Sequence, residues 1–183
     1  MNIKEEAKAV KLASPKMAGT SEEARNKALM EVVKQLKARQ QEIFEANAMD
    51  LKQAEIDKVA APIIKRLKFD ETKLRDVIAG IEDLVKLEDP LFKQDMHRQL
   101  DEGLTLYRET CPIGVIGVIF EARPDALIQI SSLCIKSGNC VILKGGSETM
   151  NSNRVLFNII YEAVIKSGMP ENCMLQLEAR SEI

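Results

Sequence analysis

Apolar residues in the first 110 positions recur every three to four residues among charged ones; beyond Ile113 they gather into short continuous runs. The first pattern predicts amphipathic helices, and the second predicts buried strands separated by helices. The segment "SEEARNKALMEVVKQL" begins where Thr20 or Ser21 can cap it, with acidic residues in its first turn. Ala28, Val32 and Leu36, flanked by Leu29 and Val33, form one apolar stripe. A second helix over residues 40–54 presents Ile43, Phe44, Ala48 and Leu51, and Pro62 falls in the connection after it. Asp70 opens a third helix with Leu74, Val77, Ile78, Ile81, Leu84 and Val85 on one face; Pro90 follows its end. Together these predict a helical N-terminal layer over residues 1–97.

Residues 98–112 predict an exposed, extended arm. The turn "LDEGL" leads into alternation at Leu104, Leu106 and Arg108, and Pro112 forbids a central ladder position. Residues 113–183 then run strand, helix, strand, helix, strand. "IGVIGVIF" is a near-continuous apolar run, the pattern of a strand buried on both faces of a parallel sheet. "PDALIQISSLCIKSG" starts with a proline suited to a first helical turn and ends at Gly138. "NCVILK" is a second strand. A long helix follows from "SETM", with Leu156, Ile159, Ile160, Ala163 and Val164 inward and Gly168 and Pro170 at its stop. "CMLQL" is a third strand. The predicted fold class is α/β: a helical N-terminal layer followed by a Rossmann-like βαβαβ parallel sheet.

Composition narrows the partners. The chain of 183 residues is 45% hydrophobic and 30% charged with a net charge of −2, so it lacks the basic footprint of a nucleic-acid or anionic-membrane binder. Its start, "MNIKEEAKAV", has no apolar core of a signal peptide, and no run is long enough to span a membrane. Cys111, Cys134, Cys140 and Cys173 form no C-x-x-C pair, and histidine occurs once, at His97. A metal site is not expected, and unpaired thiols without a signal point to a reducing cytoplasm.

Ligands of open α/β sheets collect at the C-terminal ends of the strands. That rule selects "FEARP" (120–124), "KGGSE" (144–148) and "EARSE" (178–182). Lys144 closes a strand and points into the crevice. Gly145 and Gly146 permit a tight turn and close backbone approach. Ser147 can cap the next helix, whose dipole adds positive potential. In the plainer alternative the glycines only turn the chain and Lys144 is solvated. Glu121 and Arg123 flank a helix start: the arginine can hold a carboxylate or acyl phosphate, or the two can pair locally. The glycines of "GVIGVI" serve close helix–strand packing or approach of a cofactor, packing being favoured. Cys134, Cys140 and Cys173 fall among apolar residues and Cys111 on the arm; all four are expected to be structural. His97 sits in a polar stretch as a solvated residue.

The run "YRETCPIGVIGVIFEARPDALIQISSLCIKSGNCVILKGGSE" resembles the gamma-glutamyl phosphate reductase family, glutamate-5-semialdehyde dehydrogenases of the aldehyde dehydrogenase superfamily. "ARNKAL" and "IFEANAMDL" extend the resemblance across the chain. It implies NADPH-dependent reduction of L-glutamyl 5-phosphate to glutamate 5-semialdehyde with release of phosphate, in proline biosynthesis, by a homo-oligomer. It also implies cofactor binding through Phe120, Glu121, Lys144, Gly145, Gly146, Ser147 and Glu148, with Lys144 on the adenosine ribose. The family's nucleophilic cysteine lies beyond Ile183, so no catalytic residue and no metal ligand is expected here. The residues leave NADP(H) against NAD open, because an inward Glu148 would oppose a 2′-phosphate. Where aldehyde dehydrogenases carry W-N-F-P, this chain has Glu121-Ala122-Arg123-Pro124, so the asparagine's oxyanion role does not transfer to Ala122; Arg123 could instead serve an anionic substrate. The alternatives are a non-catalytic dinucleotide-binding or oligomerisation module and, less favoured, the reductase half of a bifunctional pyrroline-5-carboxylate synthase.

Overall fold

A computed structural model describes residues 2–177. Helices open the chain, two sheets follow, and two further helices connect the strands of the second. Helix α1 (Ile3–Ala18) is an element the periodicity did not predict; its buried stripe is only Val10, Ala13 and Met17. Pro15 lies inside it and cannot donate to the Lys11 carbonyl. The Ser14 hydroxyl takes that carbonyl instead, at 2.9 Å. Helix α2 (Glu22–Ala38) is capped by Ser21, whose Oγ accepts from the Ala24 amide at 3.2 Å. Helix α3 spans Gln40–Ile56. Pro62, expected in a connection, instead sits in the first turn of a short helix, α4 (Ala61–Leu67), where its missing N–H has no consequence. Asp70 caps α5 (Glu71–Lys86), accepting from the Lys73 amide at 3.1 Å.

The arm is a hairpin. Strands β1 (Gln94–Asp101) and β2 (Leu104–Glu109) pair antiparallel, and Gly103 takes φ +75° in the turn between them. His97 faces Tyr107 across the ladder, their rings stacked with centroids 4.8 Å apart.

The second sheet is parallel, in the order β3 (Val115–Ile119), β4 (Cys140–Lys144), β5 (Met174–Gln176). Helix α6 (Pro124–Lys136) and helix α7 (Met150–Lys166) are its crossovers. Right-handed crossovers put both on one face, and α1 lies against all three strands from the other. Helices α2, α3 and α5 form a second tier packed on α6 and α7. The buried Lys136 ties the tiers together, donating to the Leu87 carbonyl at 2.8 Å and to Asn26 Oδ1 at 2.9 Å. Within the N-terminal helices, α1 covers the sheet, α2, α3 and α5 back its crossovers, and α4 packs on α3.

Strand β3 departs from expectation. Only β4 is central and buried, with Cys140, Val141 and Leu143 fully enclosed. As an edge strand, β3 leaves Ile119 87% exposed. A Cβ on Gly117 would meet nothing within 4 Å, so this glycine does not serve helix packing. Gly114 has a conformational reason instead, with φ +116°.

Candidate functional site

The C-terminal ends of the parallel strands open onto one cleft of about 610 Å³. Register sets its floor. Ile119 pairs with Lys144, and the Phe120 amide donates to the Lys144 carbonyl at 3.0 Å. Thus Phe120, Glu121 and Arg123 leave β3 beside Lys144, Gly145, Gly146, Ser147 and Glu148 leaving β4, and all eight line the cleft. Gln176 and Leu177 close the side toward β5. The "EARSE" segment lies outside the described residues.

Lys144 is half-buried, and its Nζ donates to the Gly145 carbonyl at 2.7 Å. Gly145 is required by what surrounds it, Gly146 less so. A Cβ on Gly145 would lie 2.2 Å from Asn153 Nδ2 and 3.3 Å from Phe120 Cε2. One on Gly146 would lie 2.6 Å from Glu148 Oε2. The Glu148 carboxylate therefore folds back over the turn at the cleft's lip.

Ser147 does not cap a helix. It opens a single 3₁₀ turn (Ser147–Thr149), with no side-chain cap on either that turn or α7. The cap comes from α3. The buried Asp50 accepts from the Asn151 amide at 3.1 Å and the Ser152 amide at 2.8 Å. It also accepts from Asn151 Nδ2 at 2.9 Å and Ser152 Oγ at 2.6 Å. The positive end of the α7 dipole is thus met by a carboxylate of the protein itself. One turn earlier on α3, Asn47 donates to the Leu67 carbonyl at 2.8 Å and to Ser152 Oγ at 3.1 Å, and accepts from the Phe69 amide at 2.8 Å. Helix α3 braces both walls of the cleft.

Glu121 and Arg123 do not pair with each other. Arg123 donates to Asp125 at 2.8 Å, and that hydrogen bond raises its pKa further. Glu121 projects into solvent, 3.9 Å from Arg66. Ala122, between them, is buried against Leu67 and Ala54. Sequence reasoning missed Ile63, Arg66, Met150 and Asn153, which also line the cleft. Ile63 and Arg66 belong to the short helix taken for a connection. Asn153 is buried in α7, where no sequence pattern marks it out.

No cysteine lines the cleft. Burial pushes the Cys134 and Cys140 thiols up to about 11 and Cys173 to about 12. They are core residues, protonated at neutral pH. Cys111 is exposed and unpaired. Among the described residues no cluster of histidine, cysteine or acidic side chains could hold a metal ion, and no helix is long and apolar enough to cross a membrane.

No family model matches the chain. It is 52% identical over all 183 residues to a gamma-glutamyl phosphate reductase of Acetivibrio thermocellus, of which it spans 42%. The crystal structure of a gamma-glutamyl phosphate reductase from Saccharomyces cerevisiae superposes on 96% of this chain with a TM-score of 0.91 at 39% identity; 46% of that chain is covered. A methylmalonate-semialdehyde dehydrogenase from Oceanimonas doudoroffii, at 19% identity, matches 98% of this chain and 34% of its own with a TM-score of 0.69, which shows a shared fold. The chain spans about two fifths of the length of the curated reductases it matches. It corresponds, along its whole length, to the N-terminal portion of the gamma-glutamyl phosphate reductase family.

Proposed function

We propose that this chain is the dinucleotide-binding portion of a reductase that converts L-glutamyl 5-phosphate to L-glutamate 5-semialdehyde with NADPH, releasing phosphate. One observation carries the reading. Phe120, Glu121 and Lys144 through Glu148 converge on a single cleft at the strand ends where open α/β sheets take nucleotides.

The cleft fits such a group. Gly145 and Gly146 leave a floor of bare backbone that a Cβ would obstruct. Asn153 Oδ1, buried behind it, has no hydrogen-bond partner among the described residues. The dinucleotide, when bound, supplies the hydride. The protein's part is to hold and orient it. Lys144 Nζ exchanges the Gly145 carbonyl for ribose hydroxyls. Glu148, at the same lip, accepts from a hydroxyl. Phe120 and Met150 give apolar walls that keep water from the bound ligand. Arg123 offers a fork to the anionic substrate. Preference for NADP(H) over NAD is part of the proposal and rests on the family resemblance, because Glu148 alone would favour an unphosphorylated ribose.

The nucleophile is not among the residues of this chain. The high pKa of the three buried thiols and the absence of Cys111 from the cleft's lining support that. Alone, the chain binds cofactor without turning over substrate. The exposed hairpin, with Leu104, Leu106 and Tyr107 in solvent, supports a role in joining copies of the protein. Free thiols support a cytoplasmic location.

The test is calorimetric titration of NADPH into the chain and into Lys144→Ala. Loss of roughly 1–3 kcal/mol, the scale of a charge-assisted hydrogen bond, is expected. Absence of any NADPH binding by the unaltered chain overturns the reading. Reductase activity from the chain alone would overturn the claim that it lacks the nucleophile.

A further inference from the structure

We propose that Arg66 and Arg123 form a clamp for a terminal phosphate dianion at the mouth of the cleft. The clamp shares its cleft with the proposed dinucleotide site, on which it rests, and adds a subsite on α4.

The placement of Arg66 is fixed by its neighbours. Leu67, the next residue, is fully buried and packs with Ala122 of the loop after β3. Asn47 holds the Leu67 carbonyl and the Phe69 amide, so the end of α4 is pinned from beneath. Lys73 joins the two arginines indirectly. Its Nζ donates to the Arg66 carbonyl at 3.1 Å and lies 3.7 Å from Asp125 Oδ1. Asp125 Oδ2 in turn accepts from Arg123 Nη2 at 2.8 Å. Arg66 and Arg123 thus reach the same cleft from two anchored elements, and each is more than half exposed.

Their commitments differ. Arg123 gives one edge of its guanidinium to Asp125. Among the described residues Arg66 has one ionic partner, Glu121 at 3.9 Å, which is beyond hydrogen-bonding range. The Glu121 side chain is 93% exposed and free to swing aside. A carboxylate thus already faces Arg66 without closing on it. A phosphate dianion has three terminal oxygens and can accept from two forks at once, which a monoanionic carboxylate does less well. Such a dianion could be the 2′-phosphate of the cofactor's ribose or the phosphoryl group of an acyl phosphate.

Four probes separate these sources: NADPH, NADH, acetyl phosphate and acetate, titrated calorimetrically into the chain, Arg66→Gln and Arg66→Lys. Arg66→Gln should weaken a phosphate-bearing probe by about tenfold or more while its phosphate-free counterpart is unchanged. Arg66→Lys, which keeps the charge and loses the fork, should recover part of the loss. A loss confined to NADPH assigns the ribose phosphate; one confined to acetyl phosphate assigns the acyl phosphate. The clamp is overturned if Arg66→Gln binds all four as before, or if NADH weakens as much as NADPH. It is also overturned if the unaltered chain prefers neither phosphate-bearing probe. Equal binding of NADPH and NADH in that case leaves the dinucleotide reading standing. Conversely, Arg66-dependent binding of acetyl phosphate with no binding of either dinucleotide supports the clamp and removes that reading.

Discussion

The carboxamide of Asn153 stands where a side chain on Gly145 would have to be: a Cβ there would come within 2.2 Å of Nδ2. Asn153 cannot retreat cheaply. It is buried, and its Nδ2 donates to Thr149 Oγ1 at 2.8 Å, inside the turn that leads into α7. The glycine is therefore fixed by close packing of a helix against the loop rather than by its backbone angles. Gly145→Ala should destabilise the fold by about 1–3 kcal/mol, the usual cost of overpacking a tight site. Asn153→Ala should cost less in the Gly145→Ala background than alone, because it removes the clash. Urea denaturation of both single variants and the double variant checks this; additive costs would show that the two residues are not coupled.

The Asp50 cap carries a second prediction. From α3, its carboxylate satisfies two orphan amides and two side-chain donors of α7. Asp50→Ala leaves those buried donors without an acceptor and removes a favourable charge from the dipole's positive end. The expected loss is about 2–3 kcal/mol in chemical denaturation. Asp50→Asn keeps one acceptor oxygen and should lose less. Equal stability of all three proteins would mean that the α7 terminus is satisfied elsewhere.

These two relationships explain what the sequence could and could not disclose. Helices α2 and α5 were legible because their caps, Ser21 and Asp70, stand directly before their apolar stripes. Helix α1 was not, because three buried residues among lysines and glutamates make a faint stripe and Pro15 argues against a helix. The apolar run of β3 was legible as a strand but not as an edge, since hydrophobicity reports a preference for cover and not whether a neighbour supplies it. At the cleft, Lys144 to Glu148 could be chosen by the strand-end rule alone. Arg66 and Asn153 reach it, and Asp50 supports it through α7, by packing between elements distant in sequence, which no local pattern records.

The hairpin offers a third test. Leu104, Leu106 and Tyr107 are exposed on β2, and Arg108 pairs with Asp95 at 2.6 Å, where the ladder's register shifts between Gln94 and Met96. Apolar side chains on an exposed ladder favour contact with another copy. Leu106→Glu should move the sedimentation coefficient toward that of a single chain without changing the midpoint of thermal unfolding. A chain that is already monomeric at high concentration would remove the oligomeric role from the arm.

The thiols provide the last. Cys134, Cys140 and Cys173 are buried and Cys111 is exposed, so a thiol reagent should modify one cysteine quickly in the native protein and all four after denaturation. Their pKa values also impose a direction on stability. Unfolded thiols ionise near pH 8.5, whereas the buried ones hold their protons to about 11 or 12. Between these limits the folded state binds more protons than the unfolded state. Stability therefore falls as pH rises from about 9 to 11. Cys173→Ser would ionise in neither state over that range, so it should flatten part of the slope, although the buried hydroxyl lowers stability at every pH. Denaturation midpoints measured from pH 7 to 10.5 distinguish the cases. A slope unchanged by Cys173→Ser would assign the alkaline loss to other groups.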